Sequence, residues 1–167
     1  MFTALDADAS TLDEHETNFV TKIRKHGWLQ TSVFEDEVGP GFCYTTGFWI
    51  KFKFPELITF SLKSAIAHDT FWNMYRDLES GQSFPIGEPI DSIFQNLPAV
   101  LLTVSEKRFE DYLGWSRWFY GGNKFGCLQL VWADPNGKFP WQTGFSSEMI
   151  NDQPDLTEAN WSGLRQH

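Results

Sequence analysis

Two carboxylates stand at the ends of strand-like runs, Glu56 and Asp134, where catalytic acids often occur. Such a pair does general acid–base work when its members are held in different protonation states. The commoner use of each is a turn cap or a surface charge, because short polar side chains bond readily to nearby backbone. The histidines are His15, His26, His68 and His167. His15 and His26 share one predicted helix face, but eleven residues at 1.5 Å each part them by about 16 Å, too far to hold one metal. No HExxH or HxH spacing is present, and no metal site is expected. Cys43 and Cys127 lie in apolar strand-like runs without CxxC spacing, and neither precedes a helix that would stabilise a thiolate. They read as reduced, buried side chains, with one disulfide between them left open. There is no GxSxG elbow and no GxGxxG or GxxxxGK loop, and Gly121-Gly122 runs into a strand instead of a helix N-terminus. No catalytic set and no cofactor is expected.

The remaining chemistry lies in polar groups set among rings. Tyr112, Trp115, Trp118, Phe119, Tyr120, Phe125, Trp132, Phe139 and Trp141 crowd one stretch, which holds four of the chain's eight tryptophans. Each Trp and Tyr covers apolar area and carries a polar tip that needs a partner. In the strand-like run around Gln129, alternation puts Cys127, Gln129 and Val131 on one face and Leu128, Leu130 and Trp132 on the other. Gln129 is then either a buried amide tying Tyr44 or backbone groups, or part of a pocket wall. A pocket would draw on Tyr44, Thr45, Trp118, Tyr120, Gln129, Trp132 and Asp134.

Charge narrows the partners. The formal net charge is −9, which argues against direct contact with nucleic-acid phosphates. Asp6, Asp8, Asp13, Glu14 and Glu16 all precede the first base, Lys22, and Glu35, Asp36 and Glu37 form a second cluster. Such clusters either solvate the surface or steer a cationic partner. The N-terminus lacks the basic and apolar regions of a secretory signal, and no run approaches the ~18 apolar residues of a membrane span. A cytoplasmic location is expected.

The elements that would position these residues read as follows. After a loose acidic lead over 1–9, Ser10 or Thr11 caps a helix running to about His26, stopped by Gly27. Residues 28–34 and 41–48 form a hairpin about an acidic turn. A strand over 56–61 precedes a helix from about 63 to 78. A short strand over 90–95 and a stronger one over 99–104 follow, then a helix over 106–113 whose continuation to Tyr120 stays open. A strand over 125–132 meets the turn Asp134-Pro135-Asn136-Gly137, and the tail over 147–167 reads as irregular and polar. The 167 residues suit one domain. The order of elements lacks regular βαβ spacing. It gives an α+β class: a mixed, mainly antiparallel β-sheet with two to three helices packed largely on one face.

The ordered segments HGW (26–28), GFCYTTGF (41–48), FPEL (54–57), WFYG (118–121), CLQLVWAD (127–134), GKFPW (137–141) and QPDL (153–156) resemble the bacterial domain-of-unknown-function family 4262. The likeness covers residues 26–156. The family shows YTxGL, HPEL and VWPD where this chain has YTTGF, FPEL and VWAD. A role for a histidine at position 54 is therefore absent here, because Phe54 stands there. The resemblance implies a small bacterial cytoplasmic domain and transfers no activity or functional residue.

Function is then expected to be binding. The first reading is an immunity or inhibitor protein for a cationic toxin or effector, using Asp13, Glu14, Glu16, Glu35, Asp36 and Glu37 for steering and Trp115 and Trp118 as anchors. The alternatives are the aromatic ligand pocket or enzyme site, and an interaction module that pairs as a homodimer.

Overall fold

Asp13, not Ser10 or Thr11, starts the first helix. Its side chain accepts the Glu16 N–H at 2.8 Å, and the Glu16 side chain accepts the Asp13 N–H at 2.9 Å. This reciprocal cap opens α1, Glu14–His26, which buries Phe19, Val20 and Ile23 and ends on Gly27 at φ 86°. The computed structural model describes residues 1–158 and 161–164. His167 lies outside them.

Five strands follow the apolar runs: β1 Leu29–Val33, β2 Phe42–Thr46, β3 Glu56–Phe60, β4 Ala99–Thr103 and β5 Cys127–Trp132. Their order across the sheet is β1-β2-β3-β5-β4, with β3 and β5 parallel and every other pair antiparallel. The chain is α+β with a mixed, mainly antiparallel sheet. The helices are completed by α2 Phe48–Phe52, α3 Ser64–Glu79, α4 Phe109–Tyr112 and α5 Gly114–Tyr120.

Alternation along the strands sorts the core into two sides. Tyr44, Ile58 and Cys127 pack with Phe19 and Ile23 of α1, Phe109 of α4 and Phe119 and Tyr120 of α5. Cys43, Leu57, Leu128 and Leu130 pack with Ala67, Phe71, Met74 and Tyr75 of α3. Three helices thus share one face and α3 backs the other. Each fully buried apolar side chain contributes roughly 1.5–3 kcal/mol. Cys43 and Cys127 fall on opposite sides and are free, which closes the disulfide alternative.

Several local expectations change. The lead is not loose: Thr3 and Asp6 form a second reciprocal cap, Asp8 caps the 3-10 turn Ala9–Thr11, and Arg24 donates to the Leu5 carbonyl. The 90–95 run is not a strand. Only Ile90 bridges, to Ala99, because Pro85, Pro89 and Pro98 cannot donate to a ladder and Asp91 and Ser92 turn the chain. The helix after 106 does reach Tyr120, broken at Leu113 (φ −111°, ψ 42°) into α4 and α5. Helix α2 went unread because Phe48-Trp49-Ile50-Lys51-Phe52 resembles more apolar strand. The described part of the tail is docked: Gln153 and Leu156 are buried, and Ser105 N donates to the Leu156 carbonyl at 2.8 Å.

Candidate functional site

Glu56 opens β3 and has no solvent exposure. Five donors converge on its carboxylate. Thr45 Oγ1 and Phe48 N reach Oε1 at 2.8 and 3.1 Å. Gly47 N and Trp49 N reach Oε2 at 3.0 and 3.1 Å, and the Tyr120 hydroxyl reaches it at 2.5 Å. Gly47 to Trp49 is the first turn of α2, whose N–H groups have no partners within the helix. Gly47 carries φ 126° there, so the turn presents its donors to β3. Burial pushes the Glu56 carboxyl upward, while the Tyr120 and Thr45 hydroxyls and the N–H groups of Trp49 and Gly47 pull against it. Burial, reinforced by the Glu56 charge, likewise drives the Tyr120 phenol and the Cys127 thiol up. All five neighbours donate, so the carboxylate is fully engaged as a bracket joining β2, β3, α2 and α5.

Asp134 is likewise closed off. Its Oδ1 accepts from Asn136 N at 3.0 Å and Lys138 N at 2.9 Å, and its Oδ2 accepts from Ser146 N at 2.9 Å. Burial raises its carboxyl, but the N–H groups of Lys138, Ser146 and Asn136, with the Lys138 charge, outweigh that and hold it below the ordinary value of 3.8. A carboxyl lowered by folding adds stability above its unfolded pKa, and that stability is lost as pH falls through the folded value. Asp134→Asn keeps one oxygen but turns an NH2 toward the Ser146 N–H. The expected loss is about 2 kcal/mol in urea melts at pH 7, and it shrinks in acid melts as the pH falls through the lowered value of the folded carboxyl. An equal loss at pH 7 and in acid would mean that the charge is irrelevant.

The residues expected to line one pocket are instead each committed inward. The Tyr44 hydroxyl accepts from Trp115 N at 3.0 Å, and Thr45 and Tyr120 serve Glu56. Gln129 donates to the Pro154 carbonyl at 2.6 Å and accepts from Leu156 N at 3.2 Å, so its amide ties backbone of the tail and not Tyr44. The Trp132 indole donates to the Phe60 carbonyl at 2.8 Å. Where β3 ends, the Gln153 amide takes its place, accepting from Trp132 N and donating to Trp132 O, both at 3.0 Å. Sequence reasoning missed Gln153, and its signal was the QPDL segment. Of these residues only Trp132 borders a described cleft, beside Leu62, Ile66 and Phe94, and Trp118 borders a different one. The ligand pocket drawn from the sequence is therefore not assembled among the described residues.

The acidic residues fall into two places. Near the N-terminus a cleft of about 270 Å³ is lined by Phe2, Leu12, Glu16, Trp118 and Phe119. Asp13 and Glu14 follow directly on Leu12 and are exposed, and Phe2 is 75% exposed. Trp115 stacks on Phe19 at 4.7 Å and meets Trp118 edge-on at 5.4 Å, so these two rings wall the structure more than they project from it. Glu35, Asp36 and Glu37 lie apart from this cleft, at the exposed tip of the β1–β2 hairpin. They are flanked there by Phe34 at 84% and Val38 at 96% exposure. Among the described residues no three His, Cys, Asp or Glu side chains are grouped as metal ligands would be, and no helix is long and apolar enough to cross a membrane.

A family model described as a domain of unknown function (DUF4262) matches residues 22–146. No curated protein and no solved structure matches the chain. The matched span includes β1 to β5, the Glu56 bracket and the Asp134 turn, and it stops before the QPDL segment. The chain belongs to the DUF4262 family.

Proposed function

We propose that this DUF4262 domain acts by binding, as an immunity or inhibitor protein that neutralises a cationic toxin or effector in the bacterial cytoplasm. The observation that carries the reading is the N-terminal cleft. It has an apolar floor of Phe2, Leu12 and Trp118, and the chain around it holds Asp6, Asp8, Asp13, Glu14 and Glu16 before any Lys or Arg occurs. Protein interfaces combine such an apolar centre with a polar rim, and a rim in which acids outnumber bases speeds encounter with a cationic partner. The two carboxylates best placed by sequence for acid–base work, Glu56 and Asp134, are occupied by structural donors, which favours binding over catalysis.

Growth rescue tests the reading. Co-expression should restore growth of cells producing the toxin encoded beside this gene. Phe2→Ser and Glu14→Lys change exposed side chains outside the core, so the fold should persist. Each should raise the Kd for that toxin about tenfold or more, with Glu14→Lys acting mainly on the association rate. Lack of rescue against every neighbouring toxin domain, or affinity indifferent to both substitutions, would overturn it.

A further inference from the structure

β1 is one of the two outermost strands of the sheet, and its outer edge has no strand beside it among the described residues, whereas Ile90 bridges to Ala99 of β4 at the other end. An open edge is a template for another strand. We propose that this edge pairs with the same edge of a second copy, antiparallel and centred on Thr31, to make a symmetric dimer with a continuous ten-stranded sheet. This surface is separate from the N-terminal cleft, and the two readings stand or fall independently.

Three features of one chain become complementary under that symmetry. In a register centred on residue 31, position 34 of one copy lies opposite position 28 of the other. Gln30 and Ser32 pair with Thr45 and Cys43, and Cys43 packs on the α3 side. Alternation therefore carries both Trp28 and Phe34 to that same side. Trp28 forms the floor of a cleft of about 410 Å³ lined also by His26, Leu29, Gln30, His68 and Trp72. Phe34, 84% exposed in one chain, would enter the other copy's cleft, where Trp28 already stacks with His68 at 5.3 Å and with Trp72 at 5.9 Å.

Charge matches at the ends of the paired strands. The turn that follows β1 in one copy falls near the start of β1 in the other, where α1 ends. That sets the exposed acids Asp36 and Glu37 against the exposed His26 and Lys25 at the end of α1. Opposite signs across an interface fix register and suppress other pairings. Gln30 meets Ser32 of the second copy, and the Gln30 Oε1 is buried with no hydrogen-bond partner within one chain. The exposed Val33 is set against the half-buried Leu29 on the opposite side of the sheet. A closed two-fold contact of this kind uses each patch once and does not propagate into fibres.

Sedimentation equilibrium on the full chain from micromolar to near-millimolar concentration is the test. A monomer–dimer equilibrium is expected. Phe34→Glu, Lys25→Glu and Glu37→Lys should each weaken it about tenfold or more. The double variant Lys25→Glu with Glu37→Lys should recover most of the loss, a recovery that mere misfolding does not produce. Circular dichroism of each variant keeps folding separate from association. A chain that stays monomeric throughout, or a dimer indifferent to Phe34→Glu and not rescued by the charge swap, would overturn the proposal.

Discussion

Glu56→Gln is expected to lower the melting temperature by roughly 6–12 °C, corresponding to about 3 kcal/mol for a chain of this size. Glutamine has the volume of glutamate, so packing is preserved and only the hydrogen-bond polarity changes. One oxygen becomes an NH2 group. If it takes the Oε1 position it faces the Phe48 N–H and forces Thr45 Oγ1 to accept, although Thr45 already accepts from Leu57 N at 2.9 Å. If it takes the Oε2 position it faces two N–H groups and the Tyr120 hydroxyl. Either way a buried donor is left without an acceptor. Thermal melts at pH 7 measure the loss, and amide exchange should rise first at Gly47, Phe48 and Trp49. A melting temperature within about 2 °C of the native chain would show that the bracket does not hold α2 to the sheet.

Gly47→Ala should be more damaging still. A Cβ built at Gly47 lies 2.5 Å from the Gly27 carbonyl oxygen and 2.7 Å from Trp28 Cα. Both are backbone atoms and cannot swing aside. The φ of 126° adds strain for any side chain. A loss above about 4 kcal/mol, or no folded product, is expected. Gly87→Ala supplies the control, because Gly87 has φ 84° but nothing within 4 Å of the added atom. It should cost only about 1 kcal/mol through its dihedral. Urea melts of the two variants separate the contributions, and similar losses would mean that backbone strain, not close approach, governs position 47.

Glu56 and Gly47 lie nine positions apart in the chain, and each was legible only in part. Position 47 was visible as a glycine inside the expected strand run 41–48, and only the structure ends that strand at Thr46. Its contact with Gly27 and Trp28 was not, because that approach exists only once β1 lies against β2. Glu56 was visible as an acid at a strand start. Its burial was hidden, because a carboxylate normally avoids the interior and sequence does not say where its donors will be. The dihedral breaks that convert Gly47–Trp49 into three parallel donors have no periodic signature. Gln153 was hidden for a related reason: it substitutes for a strand that ends too early, a defect that belongs to the sheet and not to the local sequence.

The amino-acid order by itself determined the class of fold, the five strands (with a sixth, over 90–95, that the structure does not form), α3, the end of α1 and the family. Those features follow from short-range periodicity, turn residues and ordered motifs, which the chain carries wherever it sits. Only the tertiary structure decided which polar groups are spent. It turned the expected pocket residues inward, set the two acidic clusters on separate surfaces, and left the β1 edge and its aromatic cleft open. The physical reason is that a hydrogen bond or an apolar contact needs two partners within a few ångströms, and here those partners lie up to 91 residues apart, as between the Ser61 hydroxyl and the Asp152 carbonyl.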